Sequence, residues 1–383
     1  MKDITIKNIT EGTEKIGVVC DEHATLMVPM YYVDDCVLSA GKIPDDLKIK
    51  LKRLAKAWQK YGKNMPNNTN DGDENNINFD TIMSIVNDFI EYGIYTELEK
   101  FTTMNNYGKI NFSATVKRCR PLLTQQGAIY LDYLTDKKRI DEHEIVNSVQ
   151  ILVLNDISKK LGWLIGFNLS LPTENIRYRL GSYLVPLLIS EKNQTFNTRK
   201  LNLINLLINY IRMTNGKENS NYLPVCTAYN FWENILFDAL GNMSKDELNK
   251  HFYVRHGYRD KQTNKIIVPM KPLMPDIAYK DDYSVIILDA KYYQKGFMPT
   301  NEDITKQFAY MIKAFGKWSD AYSYRNIFCL PTDEVSKYHN LEAVFGEDIA
   351  SDDGLVPIEL LYLNFEEMLE HYVDGTTAYE YIS

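Results

Sequence analysis

The sequence predicts an α/β protein. It would have a C-terminal mixed sheet flanked by helices, a small β-rich N-terminal part and a mostly helical middle region. Three observations carry this. The first forty residues alternate apolar and polar side chains in short runs, the two-residue period of strands. The middle of the chain repeats Leu, Ile and Val at the spacing of a helix facing a core. From Tyr229 onward the pattern is helix, several strands, helix and strand, an order that builds a mixed sheet. A chain of 383 residues exceeds one average domain. We expect a β/α region over 1–63, a linker or loop over 64–80, the helical region over 81–220 and a chemistry-bearing domain over 221–383.

Ile4 and Ile6 alternate with polar neighbours, and Ile16 to Val19 form a second apolar run. Asp45 to Tyr61 reads as a helix with Leu47, Leu51, Leu54 and Trp58 on one face. Lys48, Lys50, Lys52, Arg53, Lys56 and Lys60 lie on the other. That basic face fits simple solvation, or contact with phosphate or an acidic partner. Asn67 to Asn76 has no apolar residue and cannot offset its own ordering entropy, so 64–80 is read as exposed. Thr81 to Phe101 and Glu142 to Leu161 read as amphipathic helices. Lys109 to Lys117 between them alternates like a strand or extended turn. Leu201 to Ile211 has helical spacing and a core composition. Phe231, Trp232, Ile235, Leu236, Ala239 and Leu240 form a helical stripe, with Gly241 placed to end it. Residues 252–293 hold three or four strand-like stretches. Lys306 to Phe315 returns to helix, and Ser323 to Cys329 reads as a strand.

Composition excludes several classes. The longest apolar runs, such as Val285 to Leu288, are far too short to span a bilayer. The N-terminal residues lack the pattern of a signal peptide, so a cytoplasmic protein without membrane contact is expected. The five cysteines are widely spaced, with no C-x-x-C pair to suggest a zinc ribbon or a redox site. His251 and His256 have no second pair nearby. The net charge is −8, unevenly spread. Thr332 to Ser383 holds 13 acidic residues against one lysine, which leaves +4 on the first 331 residues. An acidic tail on a mildly basic body fits a face that meets a protein partner, and equally a solvated C-terminal helix.

One constellation carries chemistry. Pro275-Asp276 begins one strand, and Val285-Ile286-Ile287-Leu288 delivers Asp289-Ala290-Lys291 to the end of the next. Residues i and i+2 on a strand share a face, so Asp289 and Lys291 project together, and a hairpin brings Asp276 beside them. Phosphodiester hydrolysis needs an activated water and neutralisation of charge on the phosphate. Two carboxylates supply hard oxygen ligands for Mg²⁺. The ion lowers the pKa of a bound water and polarises the phosphate. A lysine can position or deprotonate the water, or stabilise charge. The bland alternative is two turn aspartates around a buried strand, with an exposed lysine. Against it stand the apolar strand ending on Asp289, Glu233 inside the upstream helical stripe, and Gln307 and Tyr310 on the downstream helix.

These residues resemble the PD-(D/E)xK nuclease superfamily and, more narrowly, the McrC-like nuclease subunits of LlaJI-type restriction systems. The resemblance rests on Phe231-Trp232-Glu233, on Pro275-Asp276 with Asp289 to Tyr293, and on Asp303 to Tyr310. Tyr107 to Phe112, with Thr115 and Pro121, adds an upstream patch. The resemblance implies a restriction-endonuclease-like sheet and a Mg²⁺-dependent DNA endonuclease of a restriction or antiviral defence system. Asp276 and Asp289 would bind Mg²⁺ and Lys291 would be the catalytic lysine. Glu233 would be the helix carboxylate that supports the metal, or else a solvent-facing residue. Gln307 would hold the site or the DNA backbone, with Tyr310 one turn on. Asp289 departs from the glutamate many members carry, and still offers a carboxylate. The implied partner is a McrB-like AAA+ GTPase that recognises and translocates DNA, contacted through the N-terminal part of the nuclease subunit.

The chain contains no G-x-x-x-x-G-K-[ST] loop. A second reading is a self-sufficient restriction endonuclease that reads its own site through residues 80–220, with Lys117, Arg118 and Arg120 on DNA phosphates. A third is a non-catalytic interaction subunit on a nuclease scaffold. Cutting both strands requires two sites or two events, so a homodimer or higher assembly is compatible with either nuclease reading.

Overall fold

The structure is a computed structural model. It describes residues 3–20, 24–38, 43–64, 79–125, 127–140, 144–214, 222–252, 257–269, 273–318, 321, 323–344 and 356–383. Residues 65–78, most of the expected 64–80 linker, lie outside this set, as do His256 and 345–355 of the acidic tail.

The N-terminal segment forms β1 (Ile4–Ile9), β2 (Lys15–Cys20), β3 (Ala24–Pro29) and β4 (Cys36–Leu38), followed by helix α1 (Asp45–Asn64). Next come α2 (Phe79–Tyr92), β5 (Leu98–Met104), β6 (Lys109–Ile110), α3 (Phe112–Arg118), β7 (Leu122–Thr124), β8 (Gly127–Ile129) and β9 (Leu134–Ile140). Helices α4 (Ile145–Ile165), α5 (Leu184–Lys192) and α6 (Thr198–Thr214) follow. The remainder is β10 (Tyr222–Thr227), α7 (Ala228–Leu240), α8 (Lys245–Phe252), β11 (Gly257–Arg259), β12 (Ile266–Pro269), β13 (Ile277–Lys280) and β14 (Ser284–Ala290). It ends with α9 (Asn301–Lys317), β15 (Ser323–Thr332), β16 (Lys337–Ala343), β17 (Ile358–Asn364) and α10 (Phe365–Asp374). The mixed α/β class predicted from the sequence is present. No helix among the described residues is long and apolar enough to cross a membrane.

The chain divides into two compact units. One combines residues 1–80, 164–166 and 219–383; the other combines 81–163 and 167–218. In the first unit, β1 to β4 and β10 form a sheet in the order β10-β2-β3-β1-β4. β10 joins it by antiparallel pairing of Tyr222 with Val19 through Thr227 with Lys15. A second sheet runs β13-β14-β15-β17-β16, antiparallel at both edges and parallel in the middle. The parallel step from β14 to β15 needs a crossover, which α9 supplies. The sheet's central strands are apolar on both faces, as expected when both are covered. Ala278, Val285 and Ile287 pack with Tyr310, Met311 and Ala314 of α9 and with Leu248 and Phe252 of α8.

Helix α7 begins at Thr227, whose side chain caps the backbone N–H of Asn230, and it ends at Gly241 as predicted. A Cβ on Gly241 would lie 2.6 Å from the Phe237 carbonyl oxygen and 3.2 Å from Ile277 Cγ2, so glycine lets the chain turn close against β13. Trp232 of α7 stacks on Phe365 of α10 at 5.4 Å, and Tyr372 of α10 donates its hydroxyl to Asn234 Oδ1 at 2.8 Å. Aromatic pairs of this kind contribute about 0.5–1.5 kcal/mol beyond area burial. The basic face of α1 also meets α10. Lys50 lies 2.6 Å from Glu366, and Arg53 lies 2.6 Å from Glu370. Lys60 donates to the Tyr372 carbonyl and pairs with Asp238 at 2.9 Å. Part of the acidic tail therefore answers the basic face within the same chain.

The second unit holds nearly all of α2, α3 to α6 and the strands between Leu98 and Ile140. Two local expectations are corrected here. The predicted helix over 81–101 stops at Tyr92, where Gly93 takes a positive φ of 71° and donates to the Phe89 carbonyl. Leu98 to Met104 then pairs antiparallel with β9. The expected extended stretch 109–117 is a strand only at Lys109–Ile110. Asn111 caps a helix by accepting from the Ala114 N–H, a local hydrogen bond that outweighs the weak alternation.

Candidate active site

Asp276 precedes β13 by one residue, and Asp289 is the penultimate residue of β14. The β13–β14 pairing sets Ile277 opposite Leu288, so one further step sets Asp276 opposite Asp289 on the same face. Val285 to Leu288 are all buried, so β14 is covered on both faces, and the register matters at its end, where a slip of one residue would turn Asp289 and Lys291 away from Asp276. Ala290 points away and is fully buried. Its backbone N–H donates to Asp276 Oδ2 at 2.9 Å, which ties the two strand ends together. Lys291 continues the line toward β15, its N–H donating to the Cys329 carbonyl at 2.9 Å.

Charge is concentrated at this sheet end. Lys291 Nζ lies 2.6 Å from Asp289 Oδ2 and 2.8 Å from Asp303 Oδ1. Burial would depress the lysine pKa, but the two carboxylates outweigh it and hold the ammonium charged. Burial pushes the Asp276 carboxyl well above the carboxylate range, and the negative charges of Asp289 and Glu233 push it further. Asp289 is raised by burial despite its lysine partner. Glu233 is also raised by burial, with Lys245 opposing and Asp289 adding to the rise. Carboxylates that cannot all ionise together without a cation are a donor set suited to one. Asp276 and Asp289, facing each other, fit a hard divalent ion. Glu233 completes no tight three-carboxylate cradle with them.

The strands and α7 thus bring four of the sequence-predicted residues into one electrostatic neighbourhood: Asp276, Asp289, Lys291 and Glu233. Tyr310 of α9 is buried beside them, and its hydroxyl pKa is raised by burial and then by Asp289 and Asp276. Gln307 lies deeper. It is fully buried, and its amide reaches the Ile287 and Ile327 carbonyls at 3.4 and 3.5 Å, so it bridges the two central strands from beneath. Lys117 and Arg118 end helix α3 in the other compact unit, with Arg120 two residues on.

Two residues not singled out from the sequence belong to the site. Tyr229 donates its hydroxyl to Asp276 Oδ2 at 3.4 Å. Its own pKa is raised by burial and by Asp276, Asp289 and Glu233. Its backbone N–H donates to the Gly12 carbonyl at 2.9 Å, where a Cβ on Gly12 would sit 3.3 Å from Tyr229 Cβ. A turn of the N-terminal sheet thereby braces the start of α7. Asp303 is the second partner of Lys291. The signals were present: Tyr229 is four residues before Glu233, and Asp303 is four before Gln307, each on one helical face.

Another acidic cluster lies in the other compact unit. Glu97, Glu144 and Glu191 are close enough to share a cation, but the ammonium of Lys200 takes that place, with contacts of 2.5, 3.3 and 2.6 Å.

A family described as LlaJI restriction endonuclease matches residues 16–363. No curated protein matches the chain. Among solved structures, the chain is similar to one described as a refined half-complex from a tetradecameric assembly of Thermococcus gammatolerans McrB AAA+ hexamers with bound McrC. The identity is 12%, the match covers 94% of this chain and 81% of that chain, and the TM-score is 0.39. That likeness is too loose to bear on the chemistry.

Proposed function

The chain belongs to the LlaJI restriction endonuclease family, and from that premise we propose that it is a Mg²⁺-dependent DNA endonuclease whose active site is the end of β13 and β14. The observation that carries the reading is the meeting of Asp276, Asp289 and Lys291, with Asp289 Oδ2 only 2.6 Å from the lysine ammonium. Asp276 and Asp289 would hold the ion, which when bound supplies an activated water and polarises the scissile phosphate. Glu233 would support the ion, directly or through its waters. Lys291, kept cationic by its neighbours, places positive charge where the phosphate gains negative charge in the transition state. Tyr229 donates to Asp276 and orients that carboxylate, and Tyr310 is buried beside the pair. Gln307 acts as a positioning residue from below the sheet.

The proposal extends to a partner, an AAA+ GTPase that recognises and translocates DNA. It rests on the resemblance to McrC-like subunits and on a sequence with no phosphate-binding loop of its own. The test is cleavage of plasmid DNA with Mg²⁺, by the chain alone and with a cognate AAA+ GTPase. Cleavage abolished in D289A and K291A is expected, and stimulation by the GTPase with GTP is expected. Undiminished cutting by D289A would sink the catalytic assignment. Full sequence-specific cutting by the lone chain would sink the partner requirement.

A further inference from the structure

The Lys291 ammonium has two anchors, and the second, Asp303, is assigned no role by the chemistry proposed above. Asp303 divides its carboxylate between two tasks. Oδ1 faces Lys291 Nζ at 2.8 Å. Oδ2 accepts from the Thr300 backbone N–H at 2.9 Å and from the Thr300 hydroxyl at 2.7 Å, and from the Tyr293 hydroxyl at 3.3 Å. The Thr300 hydroxyl in turn accepts from the Asp303 N–H, which closes a capping box at the start of α9. The carboxylate is thus held by its own helix turn. That helix is fixed on the sheet by Phe308, Tyr310, Met311 and Ala314, all buried.

The first anchor, Asp289, is the carboxylate proposed to carry the metal, so its charge is shared once the ion is bound. Asp303 is committed to the helix cap, to Tyr293 and to the lysine. A long, flexible ammonium otherwise has several rotamers open to it, and ordering it has an entropic cost. We infer that Asp303 is the positioning residue that holds Lys291 Nζ at the phosphate, using the N-terminus of α9 as a rigid mount. The inference rests on the nuclease reading, and α9 then bears on cleavage through a charge at its first turn as well as through Gln307 and Tyr310.

Two substitutions separate this role from helix capping. In D303N the amide oxygen can still accept from Thr300, while the charge facing Lys291 is gone. T300A removes the cap but leaves the carboxylate opposite the lysine. We expect D303N to lower Tm modestly, because the charge it removes is favoured in the fold, and to keep the DNA KM while kcat falls about 10- to 100-fold. We expect T300A to lower Tm by about 2 °C with kcat within about twofold of wild type. D303E should recover part of the kcat lost in D303N. A D303N enzyme with wild-type kcat overturns the inference, as does a loss of kcat that follows Tm equally in both variants. D289A, run in parallel, keeps the two readings apart. If D289A is inactive and D303N is wild-type, only the role of Asp303 falls. If D289A cuts normally, the nuclease reading falls and takes this one with it.

Discussion

Tyr292 and Met30 are joined by a buried hydrogen bond of 2.6 Å, the Met30 backbone N–H donating to the tyrosine hydroxyl across 262 residues of sequence. The same hydroxyl donates to the Ile9 carbonyl at 3.0 Å. Tyr292 follows Lys291 directly, so the segment that carries the lysine is pinned to the end of β1 and to the turn after β3. Nearby, the Lys295 N–H donates to the Tyr31 hydroxyl at 2.7 Å. The N-terminal sheet therefore clamps the loop between β14 and α9 from two points.

Removing this clamp should be measurable. Tyr292→Phe strands a buried N–H and a buried carbonyl, and unsatisfied groups of this kind cost about 1–3 kcal/mol each. We expect a fall in the denaturant midpoint with an unchanged m-value, together with reduced cleavage, since Lys291 is the adjacent residue. A Tyr292→Phe protein as stable as wild type would show that the two hydrogen bonds contribute nothing net.

The carboxylate site should make the metal-free protein sensitive to pH. Asp276, Asp289 and Glu233 all have pKa values raised in the fold. The native state therefore keeps protons that the unfolded chain releases above about pH 4. Stability contributed by these groups is full below that pH and is lost as pH rises through the raised native values. D276N or D289N, which need no proton to stay neutral, should be more stable than wild type at pH 8 by about 0.5–2 kcal/mol. The gap should close near pH 4. Thermal unfolding of the three proteins across that range, in EDTA, checks it.

Divalent cation should reverse the penalty in the wild type alone. At about ten times its Kd the ion contributes about 1.4 kcal/mol. Mg²⁺ titrated at pH 8 should raise the wild-type Tm and leave that of D289N unmoved. An equal rise in both would place the bound ion elsewhere.

Tyr229 offers a finer probe. Its hydroxyl is 3.4 Å from Asp276, a long hydrogen bond, so Tyr229→Phe should alter stability by no more than about 1 kcal/mol. We expect cleavage to fall less than in D276N, with a higher Mg²⁺ concentration needed for half-maximal rate, because an orienting contact on one proposed ligand is lost. A wild-type metal dependence would restrict Tyr229 to packing.

In the other compact unit, Lys200→Met should be severe. Lys200 is 1% exposed and is the shared cation of three glutamates. Breaking a buried pair by removing one partner costs about 3–5 kcal/mol, because the other charge stays buried and unpaired, and here that charge is Glu144, the one buried glutamate of the three. Burial already raises the Glu144 pKa with the lysine present. Unfolding in urea would measure the loss, and a double variant that also neutralises Glu144 should recover part of it.

Much of the site was legible in the sequence because its geometry is local. The two-residue strand period places Asp289 and Lys291 on one face, and the short polar turn at Lys280 to Tyr283 sets Asp276 opposite. The apolar run Val285 to Leu288 encodes the burial, and the hairpin turn sets the register. The stop of α7 at Gly241 is local too, as is the pattern Thr300-x-x-Asp303. Tertiary structure alone decided what depends on distant segments meeting. Tyr229 reaches Asp276 because α7 packs on the sheet, and Asp303 reaches Lys291 because α9 returns across it. The basic face of α1, read from sequence as solvated or partner-binding, finds partners on α10 more than 300 residues on. The two outcomes differ for a physical reason. Hydrophobic period and turn chemistry act between neighbours, whereas a charge on a helix face is neutral to its own sequence. Its partner is fixed only when burial of the apolar faces has brought the two helices together.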